Sequence, residues 1–126
     1  MPQPFVTSLS ETPVETWDDP AKGDLMWQTL FSSDVTPTGD MCSGVAILSP
    51  GREHKRHRHA EAEIYYVLEG TGRLTIDDEV FKVTAGSAAY IPGNSWHGIV
   101  NDGEFPIKIF YVFSTPRFSD IEYHFE

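Results

Sequence analysis

Cysteine is nearly absent from this sequence: Cys42 is the only one among 126 residues, so no internal disulfide can hold the fold and no oxidising compartment is required. Basic residues are scarce as well, nine Lys and Arg against nineteen Asp and Glu, for a formal charge of −10. A surface of that sign repels phosphate backbones, which nucleic-acid binders neutralise with Lys and Arg, so no nucleic-acid partner is expected. No stretch approaches the roughly 18 consecutive apolar residues of a membrane span, and residues 1–10 lack a basic segment followed by an apolar one. Neither membrane insertion nor export is indicated, and a cytoplasmic location is the expectation. Helical periodicity, fixed-period repeats and low-complexity segments are missing throughout.

There is nevertheless enough apolar material for one core. Hydrophobic residues make up 40% and aromatics 13%, which suits a folded domain rather than a disordered chain. Residues 1–20 hold four of the nine prolines and show no period; they read as an arm lying on a single domain formed by residues 21–126. Residues 24–34 place Leu25, Trp27, Thr29 and Phe31 at spacing two, the pattern of a half-buried strand. Further strands are predicted over residues 41–48, 73–76, 79–83, 88–91, 96–100 and 107–113. Turns are expected at Ser49-Pro50-Gly51, at a Gly70-Thr71-Gly72 hairpin, and at Asp77-Asp78, Ala85-Gly86, Pro92-Gly93-Asn94 and Asn101-Asp102-Gly103. Residues 118–125 alternate weakly through Ile121, Tyr123 and Phe125. Short strands at a spacing of about eight to twelve residues with turn signals between them indicate an all-β sandwich or barrel.

Residues 51–70 concentrate the chemistry. Successive residues of a strand face opposite ways, so His57, His59, Glu63, Tyr65 and Val67 share one parity, while Ile64, Tyr66 and Leu68 share the other. Two imidazoles and a carboxylate on one face of a strand pair suit a first-row divalent metal. His97, which opens a later strand after Pro92-Gly93-Asn94, is the candidate fourth ligand, because strands far apart in sequence face one another across a small barrel. An isolated His-x-His beside Arg52, Lys55, Arg56 and Arg58 could equally lie on the surface; Glu63 and His97 together favour a site. Tyr65 has two readings. Its phenol either points into the same cavity, where a nearby cation would lower its pKa and make it a general base, or fills the core with its hydroxyl satisfied locally. His54 and His124 are expected to face solvent, and Cys42 to be a buried, inert thiol.

Gly51, His57, His59, Glu63 and Gly70 occupy every position of the first motif of the cupin superfamily, and Gly86, Pro92, His97 and Asn101 occupy positions of the second. Asn94 stands where the second motif usually has Gly, and Asn tolerates the left-handed backbone such a turn needs. The chain therefore resembles the cupins, which implies an all-β cupin double-stranded β-helix, a jelly-roll barrel of roughly six to eight strands, with one metal held by His57, His59, Glu63 and His97. Outside those motifs, Glu63-Ile64-Tyr65, Met26-Trp27, Phe110-Tyr111-Val112-Phe113 and the run from Arg117 to Tyr123 look like the small single-domain cupin lyases that cleave dimethylsulfoniopropionate. That resemblance implies a small carboxylate substrate bound through its carboxylate to the metal. It also implies loss of the α-proton to Tyr65, departure of dimethyl sulfide to leave acrylate, and a second tyrosine near the metal at Tyr123.

Aromatic faces attract a sulfonium by ~0.5–2 kcal/mol per ring in reach. Trp27, Tyr90 and Trp96 are candidates for that contact, a core role being the alternative for each. The same four ligands also suit an iron-dependent dioxygenase or an isomerase, and a non-catalytic small-ligand-binding cupin is the reading from another class. Three imidazoles and a carboxylate accept iron, manganese, nickel, cobalt or zinc alike. Small barrels pair through edges and arms, so a homodimer is a further expectation.

Overall fold

Eleven strands form in the computed structural model, which describes residues 1–126. In chain order they are β1 (Glu15–Thr16), β2 (Met26–Phe31), β3 (Cys42–Leu48), β4 (Glu53–Arg58), β5 (Glu63–Glu69), β6 (Thr71–Ile76), β7 (Glu79–Thr84), β8 (Ala88–Ile91), β9 (His97–Val100), β10 (Ile107–Phe113) and β11 (His124–Phe125). They make two antiparallel sheets, one in the order β1-β2-β3-β10-β5-β8 and the other in the order β11-β4-β9-β6-β7. The apolar run of β10 pairs along its whole length with β3, from Ile107 opposite Leu48 to Phe113 opposite Cys42. Its buried positions strictly alternate with half-buried ones. Leu48, Ile107, Ile91, Leu74 and Ile99 are almost wholly removed from water between the sheets, a burial worth about 1.5–3 kcal/mol per side chain.

β8 and β10 have the bounds their patterns predict, and the β6–β7 hairpin turns at Asp77, whose φ is 51°. Elsewhere long-range pairing overrides the local pattern. The strand expected over 24–34 shortens to Met26–Phe31, and a register shift against β3 between Thr29 and Phe31 breaks its alternation, leaving Trp27 its only buried member. Gly70-Thr71-Gly72 is not a hairpin, because β5 and β6 belong to different sheets. Thr71 and Gly72 already pair with Thr84 and Val83, and Gly70 alone turns the corner. Its φ of +87° and the 2.5 Å separation that an added Cβ would have from the Pro106 carbonyl oxygen explain why glycine stands there. The tail begins as a 3-10 turn, Phe118–Asp120, before β11 pairs with β4. The Pro-rich arm contains 3-10 turns at Leu9–Glu11 and Pro20–Lys22, and β1 sets Glu15 opposite Trp27 and Thr16 opposite Met26. The count of eleven exceeds the six to eight expected, and nine remain without the two-residue strands β1 and β11.

Two asparagines position the second motif. Asn94 adopts the left-handed backbone, φ 66°, and its N–H donates to the His59 carbonyl at 2.7 Å, fastening the turn before β9 to the end of β4. Asn101 is fully buried; its Nδ2 donates to the carbonyls of Leu48 and Phe105, both at 2.9 Å, and its Oδ1 accepts from Gly103 N–H at 3.0 Å. No helix is long and apolar enough to cross a membrane.

Candidate metal centre

The expectation that His57, His59 and Glu63 share one face of a strand pair is corrected by the topology. β4 and β5 lie in opposite sheets, so the imidazoles and the carboxylate meet across the barrel interior. β5 keeps the predicted alternation, with Glu63, Tyr65 and Val67 buried and Ile64, Tyr66 and Leu68 exposed. β4 does not. Its register against β9 shifts between His54 and His57, a bulge that puts two residues three apart on the same inner face. His54 is therefore 4% exposed, against the expectation that it faces solvent. His124 does lie in solvent, its side chain 53% exposed.

One ring nitrogen from each of His57, His59 and His97 lies within 4.8 Å of the others, and all three residues are buried. Glu63 Oε1 is 3.3 Å from both His59 Nε2 and His97 Nε2. On their far sides the rings are anchored to backbone carbonyls: His57 Nδ1 to Lys55 at 2.7 Å, His59 Nδ1 to Glu61 at 2.9 Å and His97 Nδ1 to Ser95 at 2.9 Å. A carbonyl only accepts, so each Nδ1 carries the hydrogen and each Nε2 is left with a lone pair. His59 Nε2, His97 Nε2 and Glu63 Oε1 are buried without a hydrogen-bond partner, lone pair facing lone pair. A buried unsatisfied polar group costs about 1–3 kcal/mol, and one cation among these atoms would satisfy all of them. A set of imidazole nitrogens with a carboxylate oxygen fits a first-row divalent metal, and the His57, His59 and His97 group can bind one.

Burial drives the His57 imidazole far down, and it pushes His54 down to about 3, so both are neutral near pH 7. At His59, burial acts downward, but the Glu63 carboxylate 3.3 Å away would pair with a proton placed on Nε2 and outweighs it, so the net shift is upward. A proton and a metal thus compete for the same Nε2. Tyr65 and Tyr123 are raised well above 10, first by burial and then by the Glu63 charge, and are phenols. Burial, with Glu63 adding to it, pushes the Cys42 thiol up to about 12, in keeping with an inert side chain.

Glu63 opens on a cavity of about 20 Å³, room for about one water. Its lining includes His54, Tyr65, Tyr123, Trp17 and Trp27. The Trp17 ring lies 4.9 Å from that of Trp27 and 5.1 Å from that of Tyr123, while Phe118 closes on Trp27 at 5.7 Å. Tyr123 also lies 5.2 Å from the His57 ring and 5.3 Å from that of His59, and Tyr65 6.4 Å from that of His97. Of the three residues considered for a cation contact, Trp27 lines the cavity and the other two do not. Tyr90 is 66% exposed because it pairs with Ile64, and cross-strand partners share a face, here the outer one. The Trp96 ring lies under the Arg58 guanidinium at 4.9 Å, and its backbone N–H donates to Asp77 Oδ1 at 3.1 Å. Trp17 was missed because nothing periodic marks it in the arm; its place is set by the pairing of β1 with β2.

Residues 44–113 match the cupin domain family, and the chain belongs to it. Over 122 residues, 97% of this chain and 80% of the relative, it is 36% identical to "Dimethylsulfoniopropionate lyase DddW" of Ruegeria pomeroyi. Among solved structures, a cupin-2 domain protein from Rhodospirillum rubrum matches all of this chain and 82% of its own with a TM-score of 0.79 and 18% identity. A predicted oxalate decarboxylase from Thermotoga maritima matches with a TM-score of 0.77 and 23% identity, over 88% of this chain and 99% of its own. These structures carry the fold alone, and the fold is the all-β cupin barrel expected.

Proposed function

We propose that the protein is a metal-dependent lyase that cleaves dimethylsulfoniopropionate by β-elimination, with Tyr65 as the base. The observation that carries this reading is a single cavity in which a carboxylate of the donor set, the phenol of Tyr65 and a wall of aromatic rings meet. The similarity to a relative named for that reaction supports it. His57, His59, Glu63 and His97 would hold the cation. When bound, a divalent metal supplies Lewis-acid polarisation of a substrate carboxylate and positive charge that offsets Glu63.

In this reading a bound cation would offset the Glu63 charge and the burial that keep Tyr65 protonated; the phenol gives up its own proton to solvent, and the phenolate oxygen then takes the α-proton. The C–H pair becomes the C=C bond, the C–S pair leaves on sulfur as dimethyl sulfide, and acrylate remains. Trp17 and Trp27 present faces to the sulfonium. Tyr123 carries a second hydroxyl beside the imidazoles, and the tight lining excludes bulk water. A cytoplasmic homodimer completes the proposal; Ile64, Tyr66, Leu68 and Tyr90, exposed on the outside of one sheet, support the pairing, which a solution mass of twice 14.2 kDa would establish.

The test is incubation with dimethylsulfoniopropionate of protein loaded in turn with iron, manganese, nickel, cobalt and zinc, followed by gas chromatography of the headspace. Dimethyl sulfide is expected with at least one metal. Tyr65→Phe should lower its production by about 10²- to 10⁴-fold at unchanged metal content. No dimethyl sulfide with any of the metals overturns the reading.

A further inference from the structure

His54 lines the same cavity as Glu63, Tyr65 and Tyr123, yet it is not one of the three imidazoles grouped for a metal. Its ring stacks on His57 with centroids 4.0 Å apart and planes 30° from parallel. The other three imidazoles each give Nδ1 to a backbone carbonyl, whereas His54 Nδ1 is buried without any partner. Stacking alone does not explain the nitrogen, since a phenyl ring would stack as well and leave nothing unsatisfied. The bulge in β4 is what brings this ring inward beside His57.

The indole Nε1 groups of Trp17 and Trp27, in the same lining, are also buried without partners, and an indole N–H can only donate. A wall of unsatisfied donors calls for a ligand with acceptor oxygens. We propose that His54 is a ligand-binding residue whose Nδ1–H donates to a carboxylate oxygen of a small onium carboxylate. This rests on the reading under Proposed function, in which the substrate has acceptors and no donors, so the hydrogen must sit on Nδ1.

The probe is 3-(trimethylammonio)propionate, which has the same carboxylate and an onium group that leaves poorly, titrated calorimetrically into zinc-loaded protein with metal content measured in parallel. His54→Phe keeps a ring on His57 and should weaken binding at least about tenfold, the worth of one hydrogen bond to a charged group, with zinc retained. His54→Asn places an amide donor near the Nδ1 position and should bind within about threefold of wild type, whereas His54→Gln places it near Nε2 and should bind no better than His54→Phe. Should His54→Phe not fold, the Asn and Gln pair decides alone. Wild-type affinity in His54→Phe, loss of zinc from it while Asn and Gln bind equally, or rescue by Gln in place of Asn each overturns the assignment. Failure of the wild type to bind the probe overturns instead the onium carboxylate reading on which it stands.

Discussion

The two ends of the cavity are built by different means. At the metal end, His57 and His97 sit opposite each other in adjacent strands of one sheet, Glu63 faces them from the other, and three ring nitrogens are pinned by carbonyls. At the aromatic end, Trp17 comes from the arm and Phe118 and Tyr123 from the tail, segments tied to the sheets through the two-residue strands β1 and β11. Lone pairs that must converge on one point need a rigid frame, and long ladders supply it. A ligand reaching a cavity with room for about one water needs a wall that gives way, and short pairings open at lower free energy than core strands.

Breaking the metal end should have the largest effect. His97→Ala is expected to bring metal content after dialysis to background and activity with it, measured by atomic absorption. Retention of a stoichiometric ion would detach the donor set from the cavity chemistry. Acid should do the same reversibly. The His59 imidazole titrates above its ordinary value of 6.5, so metal is held above that raised pKa and released as the pH falls through it, with an onset earlier than an unshifted histidine would show. Metal content across a pH series checks the direction.

Trp17→Ala strikes only the aromatic end and should raise KM by roughly two- to thirtyfold, the range of one cation–π contact, at constant metal content; a lost metal would mean that the two ends are mechanically one. Tyr90→Ala, outside the cavity, should leave kcat and KM within about twofold of wild type, as surface changes usually do.

The same contrast separates what was legible in the sequence from what was not. β5 and β10 alternate cleanly, so Tyr65 could be turned inward and Tyr66 outward by parity alone, and the candidate ligands followed from motif spacing. Where a strand departs from period two, parity misleads: a single bulge moved His54 from the solvent side to the interior. Tyr90 had no error of pattern of its own; its face is dictated by Ile64 on the neighbouring strand. Trp17 and the corner at Gly70 depend on which strands pair across the fold, information that residues local in sequence do not carry.

The hydrogen bond from Asn94 N–H to the carbonyl of His59 joins the turn of one motif to a candidate ligand of the other. Unfolding of either segment therefore disturbs the donor set, and a bound ion and the native state would share one equilibrium. Anything that binds only the native state stabilises it by mass action. The melting temperature should accordingly climb with free metal concentration, and chelators should lower it as a single cooperative transition.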